Sequence, residues 1–193
     1  MKRALPLGSA AALIFVCAAT YAQAPVRVRG EVAAAGGNVI TVQRPGLDNV
    51  EIEIGEKTQL VFLKPIALED IKPGDFLGVT SLRRPDGTLS AVDVRRFPKP
   101  VNPGHRPFDG RDDQTMTNAT VSATVKASAG RELTMSYEGG TQKIVVPQNA
   151  AISTMVPGER SQLGLGSIVN VAAQPGADGR PVAQQIQFRS PPQ

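Results

Sequence analysis

Residues 68–81 read LEDIKPGDFLGVTS, and residues 160–173, 92 positions later, read RSQLGLGSIVNVAA. Their identity is low, but apolar positions and turn residues follow in the same order. Offsets of 92 or 93 residues also align four further pairs of blocks: GEV 30–32 with ATV 123–125, VITV 39–42 with ELTM 132–135, VEIEI 50–54 with QKIVV 142–146, and PDGTLSAVDV 85–94 with ADGRPVAQQI 177–186. Internal repetition at a near-constant spacing indicates a duplicated structural unit. The sequence therefore predicts two similar domains, residues 26–98 and 117–189, joined by a linker at 99–116.

Each predicted unit is rich in the alternation of apolar and polar residues that is typical of half-buried strands. Asp86-Gly87 is a strong signal for a tight hairpin between the last two strands of the first unit. In that unit the alternation covers Val26, Val28 and Val32, and again Val50, Ile52 and Ile54.

The stretch after the third strand has a different pattern. Leu68 and Ile71 are three positions apart, which places them on one side of a short helical turn. The following Lys-Pro-Gly-Asp ends that turn, because proline disfavours a helical residue before it and glycine allows a bend. In the second unit we expect Leu163 and Leu165 in the turn, with Gly166 at its end.

Three meandering strands, a short helical turn and a closing hairpin are typical of a small Greek-key barrel of the OB type. The helical turn is expected to plug the open end of such a barrel, and closure would remove exposed strand edges. The predicted fold is therefore all-β, with two tandem small OB-like β-barrels. Two small β-sandwiches are the alternative.

The first 24 residues have the features of a secretory signal peptide. Lys2 and Arg3 precede the apolar run AAALIFVCAA, and Ala22 and Ala24 form a small-x-small cleavage signal. The apolar run is too short to cross a bilayer. We expect cleavage after Ala24 and a periplasmic or secreted mature protein.

Removal of residues 1–24 would leave 169 residues and would take away Cys17, the one cysteine of the chain. Such a mature chain has no disulfide, no thiolate metal site and no cysteine nucleophile. It would carry 19 basic and 17 acidic side chains. A balance this close to neutral does not favour nucleic-acid binding.

The segment GHRPFDGRDDQTMTNATV, residues 104–121, contains the single histidine of the chain. His105, Asp109, Asp112 and Asp113 offer one imidazole and three carboxylates, which are possible ligands of a divalent metal. The spacing matches no zinc signature and lacks the order of an EF-hand loop. The alternatives are a solvated linker or a different ligand site.

Four further residues are candidates for contact with a ligand or partner. Arg27 and Arg29 share one face of the first strand, and Arg106 and Phe108 flank the predicted linker's proline. A groove for single-stranded nucleic acid would combine such cations with aromatic stacking platforms, and aromatic residues are scarce here. The alternative is a solvated strand face with salt bridges to nearby glutamates.

The order of the motifs VRGEV, LEDIKPGDFLGVTS, PDGTLSAVDVRRFP, GHRPFDG, MTNATV and VPGERSQLGLGSIVNVAA resembles an uncharacterised family of secreted bacterial proteins. The resemblance covers nearly all of residues 26–189. It implies tandem OB-like domains of unknown function and a secreted location, but no activity. The family usually has tryptophan where Phe108 stands.

No catalytic constellation is apparent in the sequence. The serines have one possible histidine partner, and no Gly-x-Ser-x-Gly elbow is present. We therefore predict a non-catalytic, cofactor-free periplasmic or secreted protein that binds an unknown periplasmic protein or small ligand. The alternative is a divalent-metal-binding protein centred on the 104–113 loop; oligosaccharide binding is a third hypothesis, disfavoured by the few aromatic residues.

Overall fold

The computed structural model describes residues 26–127 and 130–191, so the predicted signal peptide lies outside the described residues. The described part is all-β, and none of its helices is long and apolar enough to cross a membrane. Two 3-10 turns, Leu68–Asp70 and Arg160–Gln162, interrupt the strands. The strands are β1 (Val26–Gly36), β2 (Val39–Gln43), β3 (Val50–Pro65), β4 (Phe76–Arg83), β5 (Leu89–Phe97), β6 (Gly104–Phe108), β7 (Arg111–Ala127), β8 (Gly130–Tyr137), β9 (Gly140–Val146), β10 (Ala151–Pro157), β11 (Ile168–Pro175) and β12 (Pro181–Arg189).

The strands form two closed rings of five. In ring 1 the order is β1-β2-β3-β12-β11, closed by antiparallel pairing of β11 with β1 and parallel pairing of β12 with β3. In ring 2 the order is β7-β8-β9-β5-β4, closed by antiparallel pairing of β4 with β7 and a short parallel contact of β5 with β9. Strand β10 lies between the rings and pairs with both β3 and β5.

Each ring combines strands from both repeats. Ring 1 takes its meander from the first repeat and its closing hairpin, β11–β12, from the second. Ring 2 has the opposite composition and is closed by β4–β5. The prediction that residues 26–98 and 117–189 each form a contiguous barrel therefore differs from the strand pairing, because the two closing hairpins are exchanged.

The long strand β3 explains how the exchange arises. It continues through Gly55 to Pro65, and its second half pairs antiparallel with β10. At about 3.3 Å per residue, this extended segment carries the chain out of ring 1 before the first 3-10 turn. The turn then packs Leu68 and Ile71 into ring 2. The following hairpin β4–β5 consequently pairs with β7 rather than with β1.

The exchange produces an internal pseudo-twofold axis. Leu63 and Met155, which are 92 positions apart, pair with each other across β3 and β10. The parallel pairs at the two ring closures are related by the same offset: Glu53 pairs with Val182, and Val145 pairs with Ser90.

The first strand of each repeat departs from the predicted offset. The Val32 amide donates to Ser167 O at 2.9 Å, and the Val121 amide donates to Asp75 O at 2.8 Å. Both valines also precede a bulge in the pairing with the next strand. Val121, and not Val125, is therefore the structural counterpart of Val32. The alignment of GEV 30–32 with ATV 123–125 was wrong by four residues.

Each ring encloses its own aliphatic core. Leu68, Ile71 and Leu163 are buried as expected of plugging residues, whereas Leu165 is 67% exposed and does not plug the barrel. The ring 1 core includes Val28, Val32, Ile40, Val42, Ile52, Leu163, Val171, Ile186 and Phe188. The ring 2 core includes Leu68, Ile71, Leu77, Val79, Val94, Val121, Leu133, Met135 and Ile144.

The predicted linker 99–116 is largely structured. Its second part forms β6 and the start of β7, joined by a tight turn in which Asp109 and Gly110 have φ values of 61° and 69°. Two consecutive positive φ values match the twist of a two-residue hairpin. Because β7 also pairs with β4, this hairpin extends ring 2 instead of spanning a gap.

Candidate functional site

A cleft of about 720 Å³ lies between the two rings. Its walls come from β1, β11 and β12 on the ring 1 side and from β4, β5 and β7 on the ring 2 side. Strands β11–β12 and β4–β5 are the exchanged hairpins, so the cleft is a direct consequence of the exchange. Its volume falls within the range of small-molecule sites, about 300–1,000 Å³.

A polar contact at the centre of the cleft joins the two walls. Arg95 Nη1 on β5 donates to Gln187 Oε1 on β12 at 3.0 Å. These two positions are 92 residues apart and face each other across the pseudo-twofold axis. Arg95 Nε also lies 2.8 Å from Asp93 Oδ2, and both side chains are about one quarter exposed. The guanidinium is therefore held in one orientation while part of it faces the cleft.

The ring 1 wall is polar. Arg29 and Asn170 are register partners between β1 and β11, and Asn170 is also the register partner of Gln187 on β12. One row further, Glu31 and Arg189 flank Ile168. Within the described residues, the buried Asn170 Oδ1 accepts no hydrogen bond. An unsatisfied buried acceptor costs about 1–3 kcal/mol, and this oxygen has almost no surface that a ligand in the cleft could contact.

The ring 2 wall is mainly apolar. Gly78 leaves room for the Phe97 ring, because a Cβ at that position would lie 2.4 Å from Phe97 Cε2. Phe97 also packs edge-on against Phe76, with ring centroids 6.4 Å apart. Val92 occupies the bulge of β5 and remains 41% exposed at the cleft. Met116 on β7 adds a flexible apolar surface.

The tip of the β6–β7 hairpin touches the cleft from one side. Asp109 accepts from Arg29 Nη1 at 2.8 and 2.9 Å, and the Arg29 guanidinium lies 5.8 Å from the Phe108 ring centroid. Arg29 and Asp109 are each nearly half exposed, so their ion pair stabilises the fold by less than about 1 kcal/mol. The contact nevertheless connects a ring 1 strand to a ring 2 hairpin at the edge of the site.

The four residues expected to contact a ligand separate into two pairs. Arg29 and Phe108 both line the cleft. Arg106 instead donates to Asn102 O at 3.1 Å, and Arg27 does not line the cleft. Their even spacing places Arg27 and Arg29 on the same face of β1, but only Arg29 reaches the cleft.

The four candidate metal ligands are not brought together. His105 Nδ1 lies 2.8 Å from Thr117 Oγ1, Asp109 binds Arg29, and Asp113 binds Arg111 at 2.7 Å. The hydrogen bond from Arg111 also lowers the pKa of the Asp113 carboxyl. His105, the turn residue Asp109 and the β7 carboxylates occupy different parts of the hairpin. Across the described ranges 26–127 and 130–191, no three His, Cys, Asp or Glu residues form a metal-binding group.

His105 provides a test of this packing by its titration. Burial, followed by the charge of Arg83, lowers the pKa of His105 below 6.5. Because the folded state disfavours the charged imidazole, stability is fully present above pH 6.5 and decreases as the pH falls from 6.5 through the folded-state pKa. The chain has a single histidine, so its NMR resonance is unambiguous. We expect a titration midpoint below 6.5; a midpoint above 6.5 would show that the ring is not packed in this way.

The sequence analysis did not identify Asn170, Gln187 or Arg189 as site residues. Each lies on an outward position of a strand and resembles an ordinary solvated side chain. These positions align with Gly78, Arg95 and Phe97 at the 92-residue offset, but residue types differ at most positions of the two repeats, so the alignment did not single them out.

No protein-family model, curated protein or solved structure matches this chain.

Proposed function

We propose that this chain is a non-catalytic periplasmic or secreted binding protein whose small ligand occupies the cleft between the rings. The single observation that carries the proposal is the cleft itself, which combines an apolar wall with a few convergent polar groups. That combination is the usual composition of a small-molecule site. The signal-peptide pattern of residues 1–24 supports the location.

In this proposal both rings are OB-like barrels with exchanged closing hairpins. If the five strands of a repeat are numbered 1 to 5 in chain order, each ring has the order 1-2-3-5-4 with a parallel contact between strands 3 and 5, which supports this interpretation. In each ring, strands 4 and 5 come from the other repeat. OB barrels bind extended ligands on strand faces and loops. Here the outward faces of the exchanged hairpins would form the binding surface.

A binding function without chemistry is supported by the arrangement of the reactive groups. His105 is engaged with Thr117 and is not a lining residue of the cleft. Asp93 and Arg95, which do line the cleft, form an ion pair with each other. A general base needs a nucleophile or a proton donor within hydrogen-bond reach, and the lining residues offer no such pair.

A cleft-filling substitution tests the proposal. Val92→Trp would place an indole in the cleft at an exposed bulge position without disturbing either core. We expect it to weaken binding of the fluorescent apolar probe 1-anilinonaphthalene-8-sulfonate about tenfold or more, since each 1.4 kcal/mol of lost contact is a factor of ten. The measurement is fluorescence titration of the folded protein.

The matched control is Leu165→Trp, which adds the same indole at a 67% exposed position outside the cleft. It should leave probe binding within twofold of the unmodified protein. Equal binding by both variants and the unmodified protein would contradict a ligand site in the cleft.

A further inference from the structure

The two walls of the cleft are related by the pseudo-twofold axis but differ in chemistry. Asn170 on the ring 1 wall corresponds to Gly78 on the ring 2 wall, and Arg189 corresponds to Phe97. All four line the cleft. A duplicated unit would have placed the same residue types on both sides, so these positions have diverged. One wall carries hydrogen-bonding groups, and the other carries apolar surface.

The ring 1 wall has groups without partners. Within the described part of the chain, Arg189 forms no ion pair or side-chain hydrogen bond, although it lines the cleft. Gln187 lies between it and Arg95, whose guanidinium is already engaged with Asp93. Asn170 Oδ1 is buried and unpartnered. Asn170 Oδ1 is closed off from the cleft, so the group that the wall offers to a ligand is the exposed guanidinium of Arg189, which suits an oxyanion.

The ring 2 wall offers apolar side chains to the rest of a ligand, on either side of the Asp93–Arg95 ion pair. Phe97, Val92 and Met116 line it, and Leu63 lies at the boundary between the rings. Thr80 shares this wall, but its hydroxyl faces Met116 Sδ at 3.9 Å. Burial of an alkyl chain against these side chains is favourable, because apolar surface is removed from water.

The charges of the cleft favour a ligand with one negative charge. Arg29 is paired with Asp109 and Arg95 with Asp93, which leaves Arg189 as the cation available to a ligand. Glu31 lies on the same register row, separated from Arg189 by Ile168. Across two strand spacings of about 4.8 Å, its carboxylate would repel a second negative charge on the ligand.

We propose that the ligand class is an amphipathic carboxylate. Its carboxylate binds Arg189, and its alkyl chain lies on the ring 2 wall. Arg is the residue best suited to a planar carboxylate, because its N–H donors can form two parallel bonds. This inference rests on the proposed function and specifies the ligand of the same cleft.

Three probes with the same alkyl chain length separate the contributions. They are N-dodecanoylglycine, dodecanoate and dodecyltrimethylammonium, each titrated below its micelle concentration in a calorimeter. We expect N-dodecanoylglycine to bind about tenfold or more tightly than the cationic probe, because a charge-assisted pair replaces a repulsion. Dodecanoate carries the same carboxylate and should bind within about threefold of N-dodecanoylglycine.

One substitution assigns the charged contact. Arg189→Gln should weaken both anionic probes about tenfold and leave the cationic probe unaffected or improved. The matched control is Arg27→Gln, an exposed arginine on β1 outside the cleft, which should change no affinity by more than about twofold.

The outcomes distinguish this inference from the proposed function. Equal affinity for the anionic and cationic probes, or no effect of Arg189→Gln, would overturn the inference. The proposed function would still stand if Val92→Trp abolished binding of all three probes. The inference and the proposed function would both be overturned if none of the three probes bound and if Val92→Trp left the binding of 1-anilinonaphthalene-8-sulfonate unchanged.

Discussion

Phe188→Ala is expected to lower the free energy of unfolding by about 3–5 kcal/mol. Phe188 is completely buried and lies at the centre of the ring 1 core. Its ring packs against Phe62 with centroids 5.5 Å apart, and Gly158 approaches so closely that a Cβ there would lie 2.7 Å from the Phe188 ring. Truncation would remove an aromatic ring that packs against Phe62 on β3 and against Gly158, the residue after β10. Urea unfolding followed by circular dichroism measures the loss.

Phe97→Ala provides the comparison, since Phe97 is partly exposed on the wall of the cleft. It should cost about 1–2 kcal/mol, because less apolar area returns to water. Hydrogen exchange adds a second readout for Phe188→Ala. Because β12 closes ring 1, the amides of β2 should lose protection before those of β8. Greater loss in β8 would show that β12 closes its own repeat, which contradicts the exchanged arrangement.

Local features of the fold were predictable because they depend on residues that are close in sequence. The alternation at Val28 and Val32 and the hairpin at Asp86-Gly87 correspond to observed strands and an observed turn. The same reasoning applies to Asp109-Gly110, which closes the β6–β7 hairpin. That signal was present in the sequence but was interpreted as part of a linker, because the charged residues around it suggested a solvated loop.

The exchange of hairpins was not predictable from these patterns. Strand β1 can pair with β4 or β11, and the two candidates have the same length and apolar residues at equivalent positions, Leu77 and Val79 in β4 and Val169 and Val171 in β11. The local pattern therefore does not distinguish the two pairings. The choice depends on the path of β3 beyond Gly55, which is a property of the whole chain.

The cleft exists because β1 pairs with β11 and not with β4. The sequence therefore predicted only some of the residues that line it. Arg29 and Phe108 were recognised as contact candidates from their residue types. Asn170 and Arg189 are far from them in sequence and reach the cleft because β11–β12 closes ring 1. The proposed metal group at His105 failed for a related reason, since neighbours in sequence were separated by the geometry of a hairpin.

The exchanged hairpins are the basis of both the rings and the cleft, and disulfide trapping tests them directly. Arg27 on β1 is the register partner of Ala172 on β11, whereas Thr80 on β4 is the residue equivalent to Ala172 in the first repeat. The chain from residue 25 onward contains no cysteine, so two introduced cysteines can pair only with each other within a monomer. Register partners lie within the Cα separation that a disulfide requires, about 4.4–6.8 Å.

The decisive measurement is peptide mapping by mass spectrometry of the oxidised, monomeric double variants. The exchanged arrangement requires nearly complete cross-linking in Arg27→Cys/Ala172→Cys and none in Arg27→Cys/Thr80→Cys. Cross-linking of 27 with 80, and not with 172, would show that each repeat closes its own barrel and would contradict the account.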